Sequence, residues 1–244
     1  RCRRSVAVHH VSVLPAPELI YPVILLASVI QSLFGVGVLL LGTPWMLLLG
    51  MTFPATLQLL LPISLTISLL QLRRGHQYVD RVLLRGIATL TLPAIVVALL
   101  ASTRWSPPLE IFVAILVLIF SLQDRVRFIR HGLNQLLRFQ RTYLAMMGFV
   151  HGASNLGGSM LTALAFGKAL HRDISRATIA AGYTLFAVVQ LTTLRLAGTN
   201  WQVDVGTGVR LIVVGATTFW LTERYMFSRF DSRRYRIGLE ALLI

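Results

Sequence analysis

Phe34-Gly35-Val36-Gly37-Val38, with Pro44 shortly after it, interrupts a long apolar stretch of the chain. A second interruption follows at Ser154-Asn155-Leu156-Gly157-Gly158, so that Asn155 and Gly157 stand 120 residues after Gly35 and Gly37. Glycine weakens a helix because it lacks a side chain, and proline removes a backbone donor and bends the helix. The two stretches therefore predict two helix breaks at matched positions.

The composition indicates that these breaks lie in a membrane. The 244 residues are 55% hydrophobic and only 13% charged, with a mean hydropathy of +0.72, whereas soluble domains carry about 25% charged residues. Runs free of Asp, Glu, Lys and Arg cover 19–72, 86–103, 111–123, 142–167, 177–194 and 211–222. A spanning helix needs roughly 20 such residues, and the period-2 alternation of a membrane barrel is missing. The sequence predicts an all-α polytopic membrane protein.

The order of these runs predicts two repeated halves of about four transmembrane segments each, with a glycine-broken helix opening each half. The expected regions are a basic lead at 1–18, a first half at 19–123, a basic cytoplasmic connector at 124–141 and a second half at 142–244. In the first half we expect a broken helix at about 19–50 and spans at about 54–72, 82–102 and 108–123. In the second we expect a broken helix at about 142–167 and spans at about 175–197 and 204–222, with a truncated last span.

Charges between the runs leave the relation of the two halves open. The connectors at 73–81, 124–141, 168–176 and 223–236 are all basic, and the positive-inside rule favours the cytoplasm for each of them. A parallel and an inverted repeat both remain, depending on whether the broken helices cross the bilayer or re-enter it.

The formal net charge of +14 does not indicate nucleic-acid binding, because the basic residues lie in short loops rather than on one face of a soluble fold. Cys2 is the only cysteine, which excludes an intrachain disulfide and a thiolate metal site; no metal and no cofactor are predicted. The basic lead lacks a small-residue cleavage site, so we expect the first apolar run to be retained as a span.

Polar residues flank both breaks and predict a binding site between them. Unwound backbone at membrane depth persists only where it is buried or lines a wet cavity. Helix ends there offer free N–H groups and a partial positive charge, which suit an anion. The candidate binding residues are Gln31, Gly35, Gly37, Thr43, His151, Ser154, Asn155, Gly157 and Gly158. Paired broken helices in repeated halves are typical of the binding site of a secondary transporter.

Several of these residues also have a purely structural explanation. Gly148 and Gly152 have the GxxxG spacing of packed membrane helices. His151 is either a proton carrier or substrate contact, or a neutral imidazole bonded to a neighbouring helix. Arg195 and Arg210 lie near predicted span ends, where they snorkel or attract an anion. The predicted span cores contain no Asp or Glu, which favours an anionic over a cationic substrate.

A serine protease is the enzymatic alternative. Gly152-Ala153-Ser154 is similar to the serine turn of intramembrane proteases, which need a histidine base on another span. However, Asn155 follows the serine, and His171 lies in a connector. Neither a phosphate-binding loop nor an HExxH motif occurs in the sequence. We therefore predict that the chain is not an enzyme.

The sequence resembles the sulfite exporter TauE/SafE family of membrane permeases over nearly its whole length. That family shows a G-x-G-G-G cluster with a following proline in each half. The matching positions are Gly35, Gly37 and Pro44 in the first half and Gly157 and Gly158 in the second, where Leu164 replaces the proline. The connector 73–80 and the stretch Arg176-Ala177-Thr178 are also similar to the family.

The resemblance implies transport of a small anion, sulfite-like, a sulfonate or another organic anion, across the bacterial inner membrane. It also implies an ion gradient as the driving force, with a proton or sodium as candidate coupling ion. Val38, Leu39 and Asn155 replace family glycines, which predicts a narrower or differently polar pocket. A non-transporting membrane scaffold or assembly protein of the same fold is the alternative.

Overall fold

The structure, a computed structural model, describes residues 16–105, 139–167, 171–226 and 237–238. Its helices are α1 (Pro17–Phe34), α2 (Val38–Leu48), α3 (Phe53–Gly75), α4 (Arg81–Gly86), α5 (Leu92–Trp105), α6 (Gln140–Ser154), α7 (Gly157–Gly167), α8 (Arg172–Leu196) and α9 (Val205–Tyr225). A 3-10 turn, His76–Tyr78, follows α3, and a π-helical segment, Ile87–Thr91, joins α4 to α5. Within these ranges there is no strand, so the prediction of an all-α protein is confirmed.

Four helical stretches are long and apolar enough to cross a membrane. They are Phe53–Tyr78, Arg81–Arg104, Arg172–Leu196 and Val205–Tyr225. They correspond to four of the predicted spans, each shifted by a few residues at its ends. The predicted span at 108–123 and nearly all of the connector at 124–141 lie outside the described residues, as do most of the basic lead and most of the stretch after 226.

The first predicted break is the tip of a helical hairpin. Helix α1 ends at Phe34 and is closed by Gly35, whose φ of 84° is left-handed and whose N–H donates to the Gln31 carbonyl at 2.8 Å. Helix α2 then returns along α1. The two helices lie so close at Gly37 that a Cβ there would be 2.5 Å from the Ala27 carbonyl oxygen. Only glycine allows the two helices to approach this closely.

The second predicted break has the same form. Helix α6 ends at Ser154, and Asn155 adopts the left-handed conformation with φ of 64° while its N–H donates to the His151 carbonyl at 2.8 Å. Helix α7 returns along α6. The two helices lie so close at Gly157 that a Cβ there would be 2.7 Å from the Met147 carbonyl oxygen. The four helices α1, α2, α6 and α7 therefore form two hairpins.

The hairpins enter the helix bundle from opposite ends. Helices α3 and α8 run antiparallel: the Gln58 side chain donates to the Asn200 carbonyl at one end, and the Thr178 hydroxyl accepts from the Asp80 N–H at the other. The first hairpin leads into the start of α3, at the Asn200 end. The second leads into the start of α8, at the opposite end. Each tip therefore points towards the end of the bundle at which the other hairpin enters.

One end of the bundle is strongly basic. The arginines placed there by the helix directions are Arg73, Arg74, Arg81, Arg85, Arg141, Arg172, Arg176 and Arg224. Of the described arginines, only Arg104, Arg195 and Arg210 lie towards the other end. We call these the basic end and the opposite end.

Close packing between α5 and α6 explains the GxxxG spacing. A Cβ on Gly152 would lie 2.5 Å from the Ile95 carbonyl oxygen, and one on Gly148 would overlap the Thr91 carbonyl. The Thr91 hydroxyl also donates to the Leu144 carbonyl at 2.9 Å. These two glycines therefore serve helix packing.

Candidate functional site

Gln31 holds the tip of the first hairpin in place. Its side-chain oxygen accepts from the Val38 N–H at 3.0 Å, which satisfies the first free donor of α2. Its side-chain nitrogen donates to the Ser64 carbonyl at 2.9 Å and lies 3.2 Å from the Ser68 hydroxyl. Both ends of the amide are thus occupied inside the protein, so the geometry makes Gln31 a positioning residue for the hairpin.

The carbonyl end of α1 is held by two side chains from later in the chain. Gln71 donates to the Gln31 and Ser32 carbonyls at 2.8 and 3.1 Å, and the Arg176 guanidinium donates to the Ser32 carbonyl at 2.6 and 3.0 Å. A cation at a helix carboxyl end is favourable, by about 0.3–1 kcal/mol when exposed and more when partly buried. The first tip is therefore anchored to α3 and α8.

Arg176 is also paired with an acid that sequence analysis overlooked. Its guanidinium lies 2.5 Å from a Glu223 carboxylate oxygen, and both side chains are only 11% exposed. Glu223 belongs to the last turn of α9, just beyond the predicted span at 204–222, so the core of that span appeared free of acids. A cavity of about 230 Å³, lined by these two residues, Gln71 and Arg74 among others, lies beside the pair.

Asn155 joins the second tip to the first hairpin. Its side-chain nitrogen donates to the Thr43 hydroxyl of α2 at 2.8 Å, and both residues are fully buried. The neighbouring Ser154 hydroxyl donates to the Val150 carbonyl at 2.6 Å and accepts from the Leu156 N–H at 3.3 Å. Ser154 is thus engaged in capping its own hairpin.

His151 is buried on α6 and faces α8. Its Nε2 lies 3.1 Å from the Gln190 side-chain oxygen, and its ring packs on Phe186 with centroids 4.5 Å apart. This is the arrangement expected for an imidazole bonded to a neighbouring helix. On α6, His151 lies about one helical turn before Asn155 at the second tip.

Tyr183 is the residue at this tip that sequence analysis missed. Its hydroxyl lies so close to Gly158 that it occupies the position a Cβ would take there. Tyr183 is fully buried, and its hydroxyl has no hydrogen-bond partner in the described part of the chain. Gly158 belongs to the first turn of α7, where backbone N–H groups lack intrahelical acceptors. An unpaired hydroxyl therefore lies at the amino end of a buried half-helix.

Other side-chain atoms near the second tip also lack partners among the described residues. They are Asn155 Oδ1, His151 Nδ1 and Gln190 Nε2. Exchanging O and N in the Asn155 amide preserves its bond to Thr43, because a hydroxyl both donates and accepts. The exchanged amide presents an N–H in place of a carbonyl oxygen. Together with the Tyr183 hydroxyl, the second tip thus contains several buried polar atoms without a partner among the described residues.

The predicted binding residues divide between the two tips. Gln31, Gly35 and Gly37 lie at the first, and His151, Ser154, Asn155, Gly157 and Gly158 lie at the second. Thr43 connects them through Asn155. Thr43 lies five residues into α2, so a rise of 1.5 Å per residue puts the amino end of α2 roughly 8 Å from this contact along the helix axis. Within the described ranges, no cluster of three His, Cys, Asp or Glu residues could hold a metal ion.

The chain matches a known family over most of its length. The family described as sulfite exporter TauE/SafE matches residues 20–244. No match is found among curated proteins, and none among solved structures. The match covers both hairpins and all four of the candidate spans. The chain therefore belongs to the sulfite exporter TauE/SafE family of membrane permeases.

Proposed function

We propose that this permease carries a small anion through a site between the two hairpin tips, and that the second tip provides the main anion contacts. The observation that carries the proposal is the buried, unpaired Tyr183 hydroxyl at the first turn of α7. A buried polar group without a partner costs about 1–3 kcal/mol. An anion at this position would accept from the hydroxyl and from backbone N–H groups at the start of α7.

The electrostatics of the tip favour an anion over a cation. Helix α7 directs its amino end, and so a partial positive charge, at the site. None of the side chains named at the second tip is a carboxylate: they are Thr43, His151, Asn155, Tyr183 and Gln190. Glu223 and Arg176 at the first tip neutralise each other at 2.5 Å. We therefore propose a sulfite-like anion, a sulfonate or another small organic anion as the substrate.

The hairpins also support a transport mechanism. We propose that the chain consists of two repeated halves of opposite orientation, each opened by a hairpin that does not cross the membrane. Such inverted repeats let one half rock against the other around a central site, which is exposed to each side in turn. The opposed entry of the hairpins and the antiparallel α3 and α8 support this reading. A proton or sodium gradient is the proposed driving force.

We place the protein in the bacterial inner membrane with the basic end in the cytoplasm. The positive-inside rule applies to short loops near span ends, which is where these arginines lie. The first hairpin then enters from the outside and the second from the cytoplasm.

Flux measurement in proteoliposomes tests the proposal. Purified protein is reconstituted, and the entry of labelled sulfite, thiosulfate or a small sulfonate is followed with and without a proton or sodium gradient. We expect saturable flux of at least one of these anions. Failure of every anion to move in correctly folded protein would refute transport through this site.

The variant Asn155→Gly tests the location of the site. Glycine adopts the left-handed conformation of Asn155 without strain, so the change removes the amide and keeps the turn. The expected result is a lower affinity for the anion. Asn200→Gly is the matched control, because Asn200 is exposed at the opposite end and its side chain lies outside the proposed site. Equal flux parameters for both variants would contradict the assignment.

The scaffold alternative makes a different prediction. If the fold serves assembly rather than transport, Gly37→Leu and Gly157→Leu would disturb folding or partner binding, and wild-type vesicles would show no flux of any small anion.

A further inference from the structure

A groove of about 660 Å³ lies between α3 and α9 at the basic end. Leu70 and Phe219 lie in its apolar wall, and Arg73 and Arg74 lie at its charged rim. Its size falls within the roughly 300–1,000 Å³ of sites that take small organic ligands.

The packing of the two helices explains why the groove exists. The helices approach closely at Gly215, where a Cβ would lie 2.7 Å from the Ile63 side chain. They meet again near their carboxyl ends, where Arg74 lies 3.8 Å from Glu223. Between these contacts the side chain of Ala216 is too small to fill the space between the helices, and this space is the groove.

The groove opens towards the hydrocarbon rather than towards the core of the protein. Helix α9 is the least buried of the four candidate spans, with 28% of its apolar window covered. Trp220, which lines the groove, is 51% exposed. An apolar surface that the protein leaves exposed on a spanning helix is available to acyl chains.

The rim carries more positive than negative charge among the described residues that line it. Among the described residues that line the groove, two are arginines and none is an acid. Arg73 is exposed, and the Arg74 side chain is 62% exposed, with a distance to Glu223 too long for a hydrogen bond. Glu223 forms its short contact with Arg176 instead. Arg224 lies 5.5 Å above the Trp220 ring and adds a third cation nearby.

We propose that this groove is a binding site for one anionic phospholipid of the cytoplasmic leaflet. The phosphate lies between Arg73 and Arg74, and an acyl chain lies along Leu70 and Trp220. Basic pockets between membrane helices on the cytoplasmic side suit such headgroups, because adjacent arginines attract a phosphate that the apolar wall holds at the right depth. Of the described residues that line the groove, Arg74 alone also lines the cavity beside the Arg176–Glu223 pair.

Native mass spectrometry of the detergent-purified full chain tests this proposal. The protein is titrated with phosphatidylglycerol and with phosphatidylcholine of the same acyl chains. We expect a single tight phosphatidylglycerol adduct and a preference of at least tenfold over phosphatidylcholine. The double variant Arg73→Gln/Arg74→Gln should lose roughly thirtyfold in affinity, from the attraction of each arginine to an anionic headgroup.

Two further variants distinguish a specific lipid site in the groove from non-specific attraction of anionic lipids to the basic end. Arg81→Gln/Arg85→Gln removes two exposed arginines at the same end that do not line the groove, so its affinity should stay at the wild-type value. Ala216→Trp fills the groove and should abolish the tight adduct while all rim charges remain. Equal binding of the two lipids, an equal loss in both double variants, or a retained adduct in Ala216→Trp would each overturn the proposal.

Discussion

Removing the Tyr183 hydroxyl should lower the affinity for the anion without lowering the stability of the protein. Because the hydroxyl has no partner among the described residues, Tyr183→Phe deletes a buried polar atom without breaking a hydrogen bond. An unsatisfied buried group costs about 1–3 kcal/mol, so the ligand-free variant should be as stable as the wild type or more stable. For a chain of this length each kcal/mol shifts the melting temperature by roughly 2–4 °C.

The same change should weaken anion binding strongly. A hydrogen bond to a charged group contributes about 1.5–3 kcal/mol, which corresponds to a loss of roughly ten- to a hundredfold in affinity. Anion binding is measured by the protection of the purified protein against thermal unfolding, and transport by the KM of flux in proteoliposomes. The expected result is a raised or unchanged melting temperature together with a raised KM.

Tyr143→Phe is the matched control. The Tyr143 hydroxyl is also buried but donates to the Met160 carbonyl at 2.7 Å, so its removal should lower stability by about 1 kcal/mol and leave anion affinity unchanged. The reasoning would be refuted if Tyr183→Phe destabilised the protein as Tyr143→Phe does while anion affinity remained at the wild-type value.

Three further predictions follow from packing and charge. Gly37→Ala should destabilise the protein by about 1–3 kcal/mol, because the added Cβ would lie 2.5 Å from α1 backbone atoms, whereas Gly208→Ala, with open space around it, should be neutral or stabilising in the same thermal melts. Glu223→Gln removes the carboxylate charge that lies 2.5 Å from the mostly buried Arg176 guanidinium and should cost about 3–5 kcal/mol; a loss below 1 kcal/mol in denaturant titration would contradict a tight pair. The Thr207 N–H donates to the Asp204 carboxylate and holds its pKa below the usual value. The ionised carboxylate therefore stabilises the fold above the unfolded pKa of about 3.9, and this contribution is lost as the pH falls through the lower folded pKa. The melting temperature of Asp204→Asn, measured against pH, should lack this acid-dependent change.

The sequence predicted the helical membrane class and the positions at which the first and fourth apolar runs are interrupted. Glycines and proline in a charge-free run leave few other structures, since backbone groups in lipid must be bonded internally. Asn155 was correctly placed at a turn, although it is not a glycine, because its position 120 residues after Gly35 matched that break. Short polar side chains such as that of Asn tolerate the left-handed conformation.

What the sequence could not predict depends on contacts between distant residues. Tyr183 has the ordinary pattern of an aromatic residue inside a span, and only its contact with Gly158 distinguishes it. Gln31 is a predicted binding residue because it lies beside the first break and adds hydrogen-bond donors there. Its partners Ser64 and Val38 instead occupy both ends of its amide. Whether a hairpin re-enters or crosses the bilayer also depends on packing, which loop charges alone do not determine.

The anchor of the first tip has a consequence for how the protein is made. The Ser32 carbonyl accepts from Arg176, which is 144 residues further along the chain. During synthesis the first hairpin thus enters the bilayer long before the side chain that completes its tip has left the ribosome. Until α8 is inserted, Gln71 of α3 is the described side chain that donates to the Gln31 and Ser32 carbonyls. The contacts of the first tip are therefore complete only once the start of α8 has reached it, which couples the assembly of these distant segments.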